Sequence, residues 1–372
     1  MINYLDLFNL LTCIAISWYL FYKYSIPNWL AVVLTIQLTL PLFLNGFIFP
    51  VSFMPDQLGY FEHVANLREN FFRYGNGFTP SSMEVTHAST LLSLVPIPFI
   101  ETVNSVGLAN RLIFVGFIVY LYKQKIFPTY VFMFLVLYPS LLLYSSFALR
   151  DFLVIALMVL AFFGIYRENY YQIIFSSVYL ILFKVQNFGL IVCFYIFNRI
   201  FNNLKKIKLD DFIVIIILLF LIFEFIFKHH LENHREFFYW ENLKCLEDSC
   251  SQDWRQNYQQ ITSYGALFWE FFRAIFYFQI MPLPSEWSKT VHIFQFVENI
   301  LLIIFMSYAF FRIWLVDKLV AYKWVFNYLF ALGLYGLVVF NFGTAARYRF
   351  VIPVVVVLAA YIELSQKKFN EK

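Results

Sequence analysis

Charged residues are scarce in this chain of 372 residues. They make up 13% of the sequence, whereas a soluble domain carries about 25%. Apolar residues make up 61%, against about 45–50% in a soluble domain, and a water-soluble fold of this length could not bury that much apolar surface. The composition therefore excludes a soluble domain and predicts an integral membrane protein.

Other features are also missing from the sequence. The net charge of +4 is too small to indicate a nucleic-acid partner, and there is no repeat, linker or glycine-rich phosphate loop. The first apolar stretch lacks a basic region before it and a small-residue cleavage site after it, so we expect no cleavable signal peptide. One membrane domain is therefore predicted over residues 1–372.

Long apolar runs predict an all-α polytopic membrane protein, because runs of about 17–25 residues are typical of spanning helices. The stretch 172–201 fits either one long tilted helix or two short helices that fold back at Lys184. Two amphipathic stretches, 89–103 and 264–280, look interfacial or re-entrant. The clear runs lie near 5–22, 30–49, 106–122, 128–147, 151–166, 210–228, 292–315, 324–341 and 349–364.

Lysine and arginine in the short loops indicate the orientation, because such residues mark the cytoplasmic side. Four basic clusters lie at 123–125, 199–208, 312–323 and 367–372. All four can be cytoplasmic only if 172–201 is a hairpin, which gives about 10–11 transmembrane helices with the N-terminus outside and the C-terminus inside. Two long extracytoplasmic loops are then predicted at about 50–105 and 229–291.

Only four cysteines are present. Cys245 and Cys250 lie in the second outer loop, where an oxidising compartment would allow a disulfide between them. Two free thiols are the alternative. A metal site is not expected there, because only these two cysteines cluster, although three histidines lie nearby in the sequence. Cys13 and Cys193 fall inside apolar helices and are expected to be packing residues.

Ionisable residues border or interrupt several apolar runs. Near the middle of a membrane helix such a group costs roughly 2.5–3.5 kcal/mol, so it usually lines a cavity or pairs with another. Each has a structural interpretation too: a helix cap for Asp151, a turn for Lys184, headgroup contacts for two late arginines. Their common location at the predicted outer face favours a functional interpretation over these structural ones. The residues are Asp56, Arg111, Arg150, Asp151, Lys184, Arg347 and Arg349, with His87 as a weaker candidate.

Cations and carboxylates together suit a lipid-linked phosphate or diphosphate. An arginine guanidinium binds phosphate oxygens as a bidentate fork, and lysine acts as a point charge. A neighbouring carboxylate could accept the proton of an attacking sugar hydroxyl.

Three stretches carry a resemblance to known proteins. They are Pro55-Asp-Gln-Leu-Gly-Tyr60, Leu149-Arg-Asp-Phe-Leu-Val154 after Pro139-Ser140, and Ala346-Arg-Tyr-Arg-Phe350. With them, the chain resembles the bacterial O-antigen or capsule repeat-unit polymerases (Wzy-type) and the GT-C-like polytopic glycosyltransferases. Asp56 follows the second apolar run instead of the first, and one acidic residue stands where a pair would match GT-C enzymes better. These departures favour a polymerase.

The resemblance implies that the chain polymerises undecaprenyl-diphosphate-linked oligosaccharide repeat units at the outer face of the bacterial cytoplasmic (inner) membrane, without a cofactor. It implies Asp56 as the first candidate base and Asp151 as the second. Arg150, Lys184, Arg347 and Arg349 would bind the diphosphate, with Arg111 and His87 as further substrate-binding candidates.

Several alternatives stay open. A GT-C glycosyltransferase with a polyprenyl-phosphate-sugar donor would use similar residues. A transporter for lipid-linked glycans would usually show internal repeats and charges near the midplane. A non-catalytic membrane partner in polysaccharide assembly is a third class, and a chain-length regulator is a candidate partner for the polymerase.

Overall fold

The computed structural model describes residues 3–69, 83–203, 233, 235–236, 261, 263–287, 289–340 and 342–370. These residues form helices and turns and contain no strand, which confirms the predicted all-α class for this part of the chain. The predicted span at 210–228 and the predicted Cys245–Cys250 disulfide lie outside the described residues, as does much of the predicted loop at 229–291.

Among the residues that the structure describes, five helices are long and apolar enough to cross a membrane, which supports the predicted membrane-protein class. Two shorter apolar helical stretches lie at Asn28–Leu44 and Asp151–Tyr166. The predicted total of about 10–11 spans therefore stays a prediction. The five candidate spans are Tyr4–Lys23, Val103–Gln124, Tyr170–Asn202, Thr290–Trp314 and Phe342–Lys367.

Contacts divide the chain into two compact units. Unit 1 comprises Met1–Ile191 and Tyr361–Lys372, and unit 2 comprises Val192–Ala360. The first helices of the chain are α1 (Tyr4–Lys23), α2 (Asn28–Gln37), α3 (Leu40–Leu44), α4 (Asp56–Glu69), α5 (Met83–Ser93), α6 (Val103–Gln124), α7 (Thr129–Leu137), α8 (Pro139–Tyr144), α9 (Asp151–Tyr166) and α10 (Tyr170–Asn203). The later helices are α11 (Tyr264–Ile280), α12 (Thr290–Trp314), α13 (Lys318–Val338), α14 (Phe342–Arg349) and α15 (Val351–Asn370).

Helices α1 and α6 lie side by side and run in the same direction. At their N-terminal ends, the Asp6 carboxylate accepts hydrogen bonds from the hydroxyls of Thr102 (2.7 Å) and Ser105 (2.8 Å). At their C-terminal ends, the Lys123 ammonium lies 5.3 Å from the ring centroid of Tyr24. The basic residues that follow these helices therefore gather at one end of unit 1.

Two predicted spans of unit 1 are interrupted. The run 30–49 forms α2 and α3, and the run 128–147 forms α7 and α8 before helix ends at Tyr144. Pro139 explains the second break, because a residue before proline is pushed out of the helical region, and Tyr138 is extended with φ −70° and ψ 111°.

The predicted hairpin at 172–201 is a kinked helix in the structure. Helix continues on both sides of Lys184, whose backbone alone is non-helical (φ −165°, ψ 84°). An antiparallel helical hairpin needs a loop of about 2–5 residues, which a single residue cannot provide. The orientation derived from that hairpin therefore loses this support. Buried residues also keep a spacing of three or four across the kink, at Ser176, Leu180, Phe183, Asn187 and Leu190.

The predicted amphipathic stretch 89–103 is only partly helical, because α5 ends at Ser93 before Pro96 and Pro98. Arg68 of α4 completes this end: its guanidinium donates to the carbonyls of Ser93, Val95 and Ile97. Such caps satisfy carbonyls that have no partner within the helix. Burial lowers the pKa of Arg68 from its usual value.

In unit 2, α11 coincides with the predicted amphipathic stretch 264–280 and packs along α13. The contact is close at Gly336, where an added Cβ would lie 2.5 Å from the carbonyl oxygen of Ala274 and 2.9 Å from the Cβ of Phe278. Small residues let membrane helices approach in this way.

We therefore expect Gly336→Ala to destabilise unit 2 by about 1–3 kcal/mol, the usual effect of overpacking. Gly116→Ala in α6 is the matched control, because an added Cβ there meets no atom within 4 Å. Thermal unfolding of both variants in the same detergent measures the difference. Equal midpoints for Gly336→Ala and Gly116→Ala would contradict the packing assigned to Gly336.

Candidate functional site

The loop Ser145–Arg150, between α8 and α9, is the centre of the candidate site. Its residues from Ser145 to Leu149 are fully buried. The Ser146 hydroxyl donates to the Leu142 carbonyl at 2.6 Å, and serine side chains that bond the preceding turn compete with helix continuation. The paired serines of the sequence therefore help to end α8 and to form a buried, non-helical segment.

Arg150 and Asp151 lie where this loop enters α9. Arg150 is the N-cap residue and is partly buried, and Asp151 is the first residue of the helix and 1% exposed. A carboxylate in the first turn interacts favourably with the helix dipole. The predicted helix cap at Asp151 is shown in part: Arg150 occupies the N-cap position without a side-chain cap hydrogen bond, and Asp151 follows in the first turn, where it also forms an ion pair.

The ion pair joins Asp151 to Lys184. The Lys184 ammonium lies 3.5 Å from a carboxylate oxygen of Asp151, and Lys184 is 5% exposed. One turn further along α10, the Asn187 amide lies 3.2 Å from the sulfur of Met158 on α9. At its kink, α10 therefore contacts the start of α9. The structure brings Lys184 and Asp151 together, as the sequence predicted, and their role in a functional site stays a prediction.

The structure also brings the start of α4 to this loop. Asp56 is the first residue of α4 and is exposed. Its neighbour Gln57 is 1% exposed, and its side-chain oxygen accepts a hydrogen bond from the backbone N–H of Ala148 at 3.1 Å. Ala148 precedes Arg150 by two residues, so the candidate base Asp56 and the candidate cation Arg150 flank one direct contact.

Helix α6 contributes two further polar residues. The Asn110 amide donates to the carbonyls of Phe147 (2.9 Å), Leu149 (3.1 Å) and Tyr144 (3.4 Å). The Arg111 guanidinium donates to the Ser145 hydroxyl and to the side-chain oxygen of Gln37, and it lies 4.1 Å from the ring centroid of Phe114.

Arg111 is fully buried, and it is the ninth residue of α6. At 1.5 Å per residue, it lies about 12 Å along the helix from Val103, deeper than the outer end predicted from the sequence. Among the described residues, no carboxylate forms an ion pair with Arg111. The geometry favours a structural role for Arg111, which holds the loop, over direct contact with a substrate.

His87 lies on α5 and is partly buried. Within the part of the chain that the structure describes, its side chain forms no hydrogen bond or ion pair with the Ser145–Arg150 loop. His87 therefore stays a sequence prediction.

Arg347 and Arg349 belong to unit 2, on α14. One nitrogen of Arg349 donates to the carbonyls of Phe278 (2.7 Å) and Met281 (3.1 Å), and the residue is 3% exposed. Asn299 donates to the Met281 carbonyl as well, at 2.8 Å. Arg349 thus caps the C-terminal end of α11, where a cation is favourable, and we assign it a structural role. Arg347 is partly buried and keeps its predicted role.

Unit 2 has its own buried charge cluster. Glu270 of α11 lies 3.7 Å from the guanidinium of Arg235 and 3.5 Å from that of Arg273. Glu270 and Arg235 are both buried. The sequence prediction treated Glu270 and Arg273 as part of an interfacial piece, although their spacing of three residues is the helical spacing of an ion pair.

The site residues that the sequence prediction missed are uncharged. Gln57, Asn110 and Gln37 bond the loop or its supporting arginine. For Asn110 and Gln37 the available signal was an amide side chain within an apolar run, and Gln57 had no such signal. Among the residues in the described ranges, no group of three His, Cys, Asp or Glu side chains could hold a metal ion.

Three comparisons with known proteins place no further constraint on the site. No protein-family model, no curated protein and no solved structure matches this chain.

Proposed function

We propose that this chain is a membrane glycosyltransferase that polymerises undecaprenyl-diphosphate-linked oligosaccharide repeat units. The observation that carries the proposal is the Ser145–Arg150 loop, which joins Arg150, the Asp151–Lys184 pair and the start of α4 with Asp56. Cations and a solvent-accessible carboxylate beside one helix N-terminus are the groups that a diphosphate leaving group and a hydroxyl nucleophile require.

Arg150 and Lys184 act on the diphosphate in this proposal. Both lie at the N-terminal end of α9, where the helix dipole adds a partial positive charge. Their charges offset the negative charge that develops as the diphosphate leaves, and fixed charges of this kind commonly supply a large part of catalysis. Arg347 belongs to unit 2 and stays a sequence prediction.

Asp56 is the base in this proposal, and Asp151 is assigned to hold Lys184. Asp56 is exposed, whereas Asp151 is buried and ion-paired. The acceptor hydroxyl oxygen forms a bond to the anomeric carbon of the donor while the bond from that carbon to the phosphate oxygen breaks. The electron pair leaves with the diphosphate, and the hydroxyl proton passes to Asp56.

The proposed site faces the outer leaflet of the bacterial cytoplasmic membrane. Lys23 and Lys123 end α1 and α6, and Arg167 bonds Gln124 at the same end of unit 1. Positive residues mark the cytoplasmic side. The loop contacts α6 at Asn110 and is therefore nearer to the opposite, N-terminal end of that helix, an argument that does not need the hairpin. The proposal keeps about ten spans, the outer loop at about 50–105 and a GT-C-like arrangement. The outer position predicted for the loop at about 229–291 depended on the hairpin and is not kept.

We expect Arg150→Ala and Asp56→Asn each to lower glycan chain extension by at least about 100-fold, the usual effect of removing a charge stabiliser or a general base. Asn at position 56 keeps a favourable helix start, so folding should survive. Purified protein in lipid nanodiscs, supplied with undecaprenyl-diphosphate-linked repeat units, should release longer glycans and free undecaprenyl diphosphate.

Arg167→Ala is the matched control for Arg150→Ala, because Arg167 lies at the opposite end of unit 1 and bonds Gln124. It should extend glycans at the wild-type rate. Wild-type extension by both Arg150→Ala and Asp56→Asn would reject the site, and a wild-type protein without turnover would reject the function. A polyprenyl-phosphate-sugar donor supplied in parallel tests the GT-C alternative.

A second candidate function is transport of a lipid-linked glycan. The interrupted helices α7 and α8 and the buried ion pair favour it, since transporter sites are commonly built on discontinuous helices. In proteoliposomes, a transporter would move the lipid-linked substrate across the bilayer without forming a new glycosidic bond.

A chain-length regulator is the partner we propose for the polymerase.

A further inference from the structure

The Ser145–Arg150 loop is non-helical backbone inside a helical membrane unit. In a membrane, such backbone is tolerated where protein or a water-filled cavity surrounds it, because lipid cannot bond its N–H and C=O groups. Residues Ser145 to Leu149 are fully buried. The N–H groups of Ser145, Ser146, Phe147 and Leu149 bond carbonyls of α8 or of the loop itself. The Ala148 N–H and several loop carbonyls take their partners from other elements of unit 1.

Helix α6 packs against the loop. The Asn110 amide donates to carbonyls of the loop at 2.9 and 3.1 Å. Gly107 lies one turn before it, and an added Cβ there would lie 2.5 Å from the Ser146 carbonyl oxygen. This close approach and the Asn110 hydrogen bonds hold the loop against α6.

Gln57 of α4 also bonds the loop. Its side-chain oxygen accepts the Ala148 N–H at 3.1 Å, and Gln57 is 1% exposed. Gln57 follows Asp56 directly in α4, and Arg150 follows Ala148 by two residues. This hydrogen bond links the first turn of α4 to the segment that carries Arg150.

We propose that Gln57 is a positioning residue that sets the separation between Asp56 and Arg150. This inference rests on the proposed function, in which Asp56 takes the proton and Arg150 binds the diphosphate. Gln57 is buried against the loop and acts through Ala148. Its loss lets the loop and α4 shift relative to each other, and a misplacement of about 1 Å can lower a rate about 100-fold.

Gln57→Met and Gln57→Glu test the inference. Methionine matches the length of glutamine and cannot accept the Ala148 N–H strongly, whereas glutamate keeps an acceptor oxygen in the same place. We expect Gln57→Met to lower kcat about 10–100-fold with KM within about twofold of wild type. Hydrogen exchange at the Ala148 amide should be at least about 10-fold faster. Gln57→Glu should restore slow exchange and most of kcat.

Two measurements separate positioning from folding. The unfolding midpoint of Gln57→Met should stay within about 3 °C of wild type, and Gln124→Met, at the opposite end of unit 1, should match wild type in all readouts. Wild-type kcat in Gln57→Met, unchanged Ala148 exchange, or no rescue by Gln57→Glu would each overturn the inference alone. A wild-type protein without turnover on any lipid-linked donor would instead reject the proposed function, and the positioning role with it.

Discussion

Replacing Lys184 by methionine should destabilise unit 1 by about 3–5 kcal/mol, the usual effect of removing one partner of a buried ion pair. The change takes the ammonium away from an Asp151 carboxylate that is 1% exposed. That carboxylate then remains charged in an apolar site, or takes up a proton at a similar cost in free energy. Chemical unfolding in detergent micelles measures the change.

The double variant Lys184→Met with Asp151→Leu should recover much of this loss, because replacing both partners of a buried pair by apolar residues is often neutral. Wild type, Lys184→Met, Asp151→Leu and the double variant form a double-mutant cycle. Its coupling energy measures the interaction between Lys184 and Asp151. Lys125→Met is the control, since Lys125 is an exposed lysine of the same unit. A Lys184→Met protein as stable as Lys125→Met would show that the pair does not hold α9 against α10.

Replacing Arg349 by methionine should destabilise unit 2 by about 3 kcal/mol, since hydrogen bonds to a charged group contribute about 1.5–3 kcal/mol each. The carbonyls of Phe278 and Met281 would lose their guanidinium donor at the buried end of α11. Thermal and chemical unfolding of the purified variant measure the loss. Arg312→Met, an exposed arginine in the last turn of α12, should unfold like wild type.

Arg349→Lys separates a structural role from substrate binding. Lysine keeps one positive donor but lacks the planar fork, so we expect about half of the stability loss and an unchanged KM for the lipid-linked donor. A stable Arg349→Lys protein with a KM raised about 10-fold would show instead that Arg349 binds substrate, as the sequence first predicted.

The sequence predicted elements best where one local signal decides the structure. The apolar run 151–166 coincides with α9, and the amphipathic run 264–280 coincides with α11. Composition also predicted an all-helical membrane protein, and five apolar helices of spanning length support it. These features depend on hydropathy and helical periodicity, which neighbouring residues carry.

Elements that depend on distant contacts were predicted less well. Lys184 looked like a turn because a lysine in an apolar run suggests a boundary, but its partner Asp151 lies 33 residues away in the sequence. The pairing keeps Lys184 inside unit 1, at a kink instead of a hairpin. The role of Arg349 likewise depends on carbonyls about 70 residues earlier.

The sequence predicted the charged residues of the candidate site but missed the amide residues that hold its loop. Arg150, Asp151 and Lys184 were identified because ionisable groups stand out in apolar sequence. Gln57 and Asn110 were not, because their importance comes from bonding the backbone of one buried loop. A backbone N–H or carbonyl partner carries no sequence signature, so the folded chain was needed to show which amide side chains hold the loop.

The parallel contact between α1 and α6 has a consequence for biogenesis. Asp6 is fully buried, and its hydroxyl partners Thr102 and Ser105 follow it by 96 and 99 residues. A ribosome adds about 5–20 residues per second, so Asp6 is synthesised about 5–20 s before Thr102 and Ser105. During that interval the Asp6 carboxylate keeps the Asn3 N–H as a donor, and water or lipid headgroups at the edge of the bilayer can take the place of the two hydroxyls.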